Sequence, residues 1–96
     1  MVVIKEPIEF YWDKGNSDKN SKKHGIENNE AEESFFDEKR VIYKDRFYSE
    51  REERFVLLGK TKNKRLLYTV FTIRKEKIRI ISARDINKKE VKFYNK

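Results

Sequence analysis

The chain has 96 residues, no cysteine, one histidine, and 24 basic against 17 acidic residues, a net charge of +7. Without cysteine there is neither a disulfide framework nor a thiolate zinc site, and a lone histidine argues against a histidine-rich metal centre, so no metal and no cofactor is expected. Charged residues make up 43% of the chain, far above the roughly quarter share of ordinary domains, but thirteen aromatics and clear period-two stretches argue for folding rather than disorder.

The length suits one domain, residues 1–96, with one modest core. The amino terminus MVVIKEPIEF lacks an apolar signal region, and no run approaches membrane-spanning length. A cytoplasmic protein with no membrane partner is the expectation.

In chain order, Ile8 to Trp12 reads as an edge strand, with Ile8, Phe10 and Trp12 on one face and Pro7 excluding a central position. Asp13 to Ser17 is a polar loop in which Asn16 or Ser17 caps a short helix ending at His24, with Gly25 as its left-handed stop. Asn28 or Asn29 caps a second helix, Glu30 to Phe36, whose first-turn acids face the positive end of the dipole. Arg40 to Asp45 alternates as a strand, Arg46 to Glu53 is a charged loop, and Glu53 to Lys60 is a second strand with Phe55 and Leu57 opposing Arg54, Val56 and Leu58. Lys62-Asn63-Lys64 forms the tip of the next turn.

The densest β-branched and aromatic run, Leu66 to Arg84, reads as a hairpin. Its first strand is apolar on both faces and belongs inside a sheet. Its second strand puts Ile78 and Ile80 on one face, and Arg79, Ile81 and Ala83 on the other. Arg74-Lys75-Glu76-Lys77 has no glycine or asparagine, which predicts a longer connection built on a type I turn. Asn87 and Glu90 then form a capping-box pair for a terminal helix, 88–96. The fold class is α+β: a small antiparallel sheet of four to five strands, two short N-terminal helices and one C-terminal helix.

Residues 60–96 carry 13 basic residues and three acids, a net of +10, against −3 for residues 1–59. Such a surface neutralises phosphates without reading sequence, although scattered lysines more often serve as a solvated face. The arginines are more specific. Arg79, set among isoleucines in mid-strand, is costly to bury without an anion beside it.

The order and spacing of Trp12-Asp13, Asn20, Lys23-His24-Gly25-Ile26, Glu52-Glu53-Arg54-Phe55, Arg79-Ile80-Ile81-Ser82-Ala83-Arg84, Glu90 and Tyr94 resemble the BrnT-type toxins of type II toxin–antitoxin systems. The resemblance runs from Phe10 to Tyr94. It implies a RelE-like ribonuclease, neutralised by a BrnA-type antitoxin in a complex that represses its own operon, so that operator DNA is met only through that complex. Two positions depart from the family pattern: Asn16 stands where a lysine is usual, and Asn28 and Asn29 where an aromatic is usual.

Metal-free RNA cleavage needs a base for the 2′-hydroxyl, positive charge on the phosphoryl oxygens and a proton for the leaving oxygen. With the resemblance, the catalytic candidates are His24, Arg79 and Arg84, and the RNA-binding candidates are Lys23, Arg54 and Tyr94. An imidazole titrates near neutrality, and a guanidinium grips a phosphate with two hydrogen bonds. Each has a plainer alternative: His24 bonding the carbonyls of its own helix end, Arg84 pairing with Glu90, Tyr94 lying in the core. Strict alternation puts Arg79 and Arg84 on opposite faces, and they converge only if the strand ends or bulges near Ser82. Besides a toxin endoribonuclease, two other classes fit: a non-catalytic RNA- or DNA-binding module, and a structural partner that only docks an acidic antitoxin.

Overall fold

Four strands follow one another as an antiparallel meander: β1 (Val41–Asp45), β2 (Arg54–Lys60), β3 (Leu66–Arg74) and β4 (Lys77–Asp85), lying side by side in chain order. This is a computed structural model that describes residues 4, 6–17, 19–45 and 52–95, with residues 19–21 described by backbone alone. Among these, α1 (Lys19–His24), α2 (Asn28–Glu33) and a 3₁₀ turn at Ser34–Phe36 precede the sheet, and α3 (Lys88–Tyr94) follows it. The result is a small α+β fold. Among the described residues, no helix is long and apolar enough to cross a membrane.

The sheet has helices on both faces because its apolar residues fall on both. On one face Ile26, Ala31 and Phe35 cover Leu57, Leu67, Phe71, Ile78, Ile80 and Ala83. Phe35 is the keystone there, edge-on to Phe10 at 5.2 Å and to Phe71 at 5.0 Å. The 3₁₀ turn lies so close to β2 that a Cβ on Gly59 would run into the Ser34 carbonyl. On the other face α3 lays Tyr94 against Val56 and Leu58, with Val41, Leu66, Tyr68, Val70 and Ile86 around them. The second core is the smaller one, and it leaves part of its face uncovered.

Several local expectations change. The hairpin turns tightly, with Arg74 opposite Lys77 and with Lys75 (φ 50°) and Glu76 (φ 67°) both left-handed. Strand twist selects this two-residue turn even without glycine or asparagine, against a cost of roughly 1–2 kcal/mol per left-handed residue. The cap of α2 is Glu27, whose box with Glu30 makes Asn28 the first helical residue rather than the cap, and the helix tightens to 3₁₀ at Ser34. Only Phe10 of the expected first strand pairs, as a parallel bridge to Ile78 on the outer edge of β4. β1 starts at Val41 and β2 at Arg54. Most of the expected 46–53 loop lies outside the described residues.

The change that matters most is in β4. Val70 faces Ser82 while Phe71 faces Ile80, so Ile81 is an extra residue, a bulge. Downstream of it the strand's alternation inverts. Ala83 therefore joins Ile80 in the main core rather than sharing the face of Arg79. Arg84 comes instead to the face of Arg79, reversing the arrangement that strict alternation requires.

Candidate functional site

Register across the sheet places Arg54, Thr72 and Arg79 in one row on the α3-bearing face, with Asp45 completing it on β1. Strand spacing sets the Cα atoms of Arg54 and Arg79 about 10 Å apart, the reach of two side chains toward one phosphate. Arg74 shares the parity of Thr72 and rises from the same face next to the hairpin turn. Its guanidinium takes Glu52 in two hydrogen bonds, 3.1 Å from Nε and 2.9 Å from Nη2. Those bonds first, and then the charges of Arg74, Arg54 and Arg79, hold the Glu52 carboxyl below its ordinary range. Thr72 Oγ1 donates to the Glu53 carbonyl at 2.7 Å and so fixes the approach to β2.

Arg79 is well enclosed, its side chain 14% exposed against 51% for Arg74. Nη1 lies 3.0 Å from Oδ1 of Asp13 without the alignment of a hydrogen bond, so the contact is an ion pair and the N–H remains unused. The Tyr11 ring lies 5.7 Å from the guanidinium carbon. Beside this, Tyr11, Arg74, Lys75 and Lys77 line a shallow hollow of about 340 Å³. The left-handed turn residues close the hairpin so that Lys75 and Lys77 both border it.

Further along the face, Arg84 is held by Glu90 at 2.9 and 2.7 Å and lies over the Tyr68 ring at 3.9 Å. Burial, the largest single influence, pushes Glu90 up, but the Arg84 bonds, the Asn87 backbone N–H and the Arg84 charge together outweigh it, and the carboxyl ends below its ordinary range. Tyr43 is hydrogen-bonded to Tyr68, and burial followed by this neighbour pushes its phenol up to about 12. At 38% exposed, Tyr43 offers an aromatic surface between the arginine row and α3.

The remaining expected site residues lie elsewhere. The backbone carbonyl of His24 accepts from Arg65 at 3.2 Å, and Arg65 also binds the Gly25 carbonyl and grips Asp85 at 2.6 and 2.9 Å. Arg65, rather than the imidazole, thus satisfies the end of α1. It sets His24 beside Asp85 on the opposite face, on the order of 20 Å along β4 from Arg79. Lys23 is exposed on the same helix. Tyr94 is buried, and its hydroxyl donates to Asp37 at 2.6 Å. Asn16 is 1% exposed and looks inward, so its position faces no ligand here.

The row thus unites Arg54 and Arg79, the bulge adds Arg84 to their face, and His24 and Lys23 remain apart. Asp13 and Glu52, quoted from sequence only as part of the family pattern and given no site role, join this surface, as do Arg74, Tyr43 and Tyr68, which the sequence reading did not single out. Arg74 was within reach, since it has the parity of Tyr68, Val70 and Thr72. Asp13 was not, because only folding brings its loop to β4. Among the described residues, no three His, Asp or Glu side chains cluster so as to hold a metal ion.

A small α+β protein with ordered arginines on a half-open sheet face has the equipment to engage a phosphate backbone. The profile described as ribonuclease toxin, BrnT, of type II toxin–antitoxin system matches residues 12–90, and the chain belongs to this family. It is accordingly a ribonuclease toxin, with RNA as substrate and an antitoxin as partner. A comparison with curated proteins finds no match.

Proposed function

We propose that the chain is a metal-independent endoribonuclease of RelE-like fold whose catalytic surface is the α3-bearing face. The observation that carries this reading is the bulge at Ile81, which gathers Arg79 and Arg84 on the face where Arg54 and Arg74 already stand. Arg79 and Arg54 grip the phosphoryl oxygens and stabilise the charge that grows there. Glu52, ionised beside three arginines, takes the 2′-hydroxyl proton as that oxygen attacks phosphorus. The bond from phosphorus to the 5′-oxygen breaks, solvent protonates the leaving oxygen, and a 2′,3′-cyclic phosphate and a 5′-hydroxyl result. Tyr43 stacks a base next to the scissile phosphate. Arg84, held by Glu90, shapes the far end of the face, while Tyr94 supports it from below. His24 and Lys23 stand outside this centre.

The partner in this reading is a BrnA-type antitoxin that covers the same face, and operator DNA is engaged only by the complex. Incubating the purified chain with RNA in excess chelator tests the chemistry: cleavage persists and leaves 5′-hydroxyl ends. A 5′-phosphate product sinks the mechanism, and binding without cleavage leaves a non-catalytic RNA-binding module. Arg79→Gln removes about 3 kcal/mol of transition-state stabilisation, on the order of a hundredfold in rate. Arg79→Lys restores little, since an ammonium cannot reproduce a planar two-pronged grip.

A further inference from the structure

Arginine has four rotatable side-chain bonds, and a guanidinium that must meet a phosphate loses rate if it wanders. Arg79 is prevented from wandering by the loop that precedes α1. Asp13 holds Nη1 at 3.0 Å, and Gly15 leaves the space for Nη2, because a Cβ there would come within 2.9 Å of that nitrogen.

The loop is itself fixed to the strand that bears Arg79. Asp13 Oδ1 accepts from the Gly15 N–H at 2.8 Å, and the Asp13 N–H donates to Asn16 Oδ1 at 2.7 Å. Asn16, fully buried, donates from Nδ2 to the Ile80 carbonyl at 2.9 Å and to the Tyr11 carbonyl at 3.1 Å. The outer edge of β4 is thus paired first by the 9–11 segment at Ile78, then by the Asn16 amide at Ile80. The second rung fixes the strand next to its bulge. Carboxylate, loop and arginine therefore form one mechanical unit.

We infer that Asp13 is a positioning residue for RNA cleavage, holding the Arg79 guanidinium by one nitrogen so that its remaining N–H groups meet the phosphoryl oxygens. This rests on the reading of Arg79 as the phosphate grip. The rival role for a carboxylate in this place is competition, in which Asp13 occupies the arginine and RNA must displace it. The two roles predict opposite signs. In the positioning role the effect of Asp13 and Gly15 passes through Arg79.

The test is a double-mutant cycle on cleavage of a labelled single-stranded RNA by the purified chain, with kcat and KM separated and thermal melting beside it. Asp13→Asn is expected to lower kcat about tenfold with KM changed by less than about twofold, and Arg79→Gln to lower it about a hundredfold. The double variant should match Arg79→Gln alone. Additive losses overturn the inference, as does Asp13→Asn cleaving at the parent rate or faster. If Asp13→Asn melts far below the parent, Gly15→Ala decides: it keeps every charge and crowds both Nη2 and, at 3.1 Å, Asp13 Oδ1, displacing the pair, so kcat falls severalfold at an unchanged melting temperature. Parental kcat in that variant overturns the inference too. Parental cleavage by Arg79→Gln is a different failure, which removes the catalytic reading and this inference with it.

Discussion

Asn16→Ala is the substitution that most directly measures how firmly the 11–17 loop is tied to the sheet. The side chain makes three hydrogen bonds, all to backbone: Asp13 N–H to Oδ1, and Nδ2 to the carbonyls of Tyr11 and Ile80. A neutral hydrogen bond contributes about 1 kcal/mol net, and an acceptor left buried without a partner costs a further 1–3 kcal/mol. The Ile80 carbonyl is in that position, because the side chain bonding it is 1% exposed and water has no ready path in its place. The sum is about 4–6 kcal/mol, which at about 5 °C per kcal/mol for a chain of this size lowers the melting temperature by roughly 20–30 °C. Thermal melting followed by circular dichroism reads it. Asn16→Asp should be at least as damaging at neutral pH, since it turns a carboxylate oxygen toward two carbonyls. If Asn16→Ala melts within about 3 °C of the parent, the loop is not anchored through this amide, and the rigidity ascribed to the Arg79 cradle has no basis.

Tyr94→Phe removes the 2.6 Å bond to Asp37 and should cost about 1.5–3 kcal/mol while leaving cleavage by the folded fraction unchanged; a lost rate at unchanged stability would place Tyr94 at the chemistry. Burial, then the Asp37 bond and charge, push the Tyr94 phenol up to about 12, and Tyr43 is likewise raised to about 12. Between the ordinary value of 10.0 and about 12 the unfolded chain has released these protons and the folded chain retains them. Stability is therefore fully present below pH 10.0 and declines as pH rises toward about 12, and the Tyr43→Phe, Tyr94→Phe double variant should flatten that decline in a pH series of melts. Glu90→Gln weakens both the Arg84 pair and the Asn87–Glu90 capping box, at a cost of about 1–2 kcal/mol, and by freeing Arg84 should tighten RNA binding measured by fluorescence anisotropy at low salt. Unchanged affinity would show that Arg84 has no access to the ligand.

The meander was legible because hydrophobic alternation in 41–45, 54–60 and 66–74 gives both the strands and their faces. The Asn87–Glu90 box was legible as well, since a capping box is local chemistry at fixed spacing. What alternation could not give was its own interruption. Nothing in Ile80-Ile81-Ser82 distinguishes a bulge from regular strand, as all three residues suit either, yet that one residue decides which face Arg84 occupies. The hairpin turn misled for a related reason: Lys75 and Glu76 have no preference for left-handed backbone, and the pairing of nine-residue strands imposes it. The candidate site was partly visible, because Arg54 and Arg79 share a row once register is known. His24 drew notice as the chain's only imidazole, but its position follows from Arg65 binding the carbonyls at the end of α1, a contact between residues forty apart.

The +10 balance of residues 60–96 suggests a broad positive field, but the fold distributes that charge unevenly. On the α3-bearing face Arg79 stands against Asp13, Arg74 against Glu52 and Arg84 against Glu90. Those carboxylates cancel much of the local potential, so the arginines contribute less to long-range attraction than their number implies. What the pairing provides is geometry: each guanidinium is held in place before any phosphate arrives, and a phosphate meets donors that need no further ordering. Attraction at a distance falls to the exposed lysines, such as Lys75 and Lys77 at the hairpin tip. The two roles separate under salt. Screening weakens the lysine term, which acts through solvent over a Debye length of about 10 Å at 0.1 M, while the short, partly buried arginine contacts are screened much less. Raising salt should therefore raise KM steeply and leave kcat nearly flat. A kcat that fell in step with KM would mean that the arginine row is itself a loose electrostatic surface, and that the ordering by Asp13, Glu52 and Glu90 contributes nothing to the reaction.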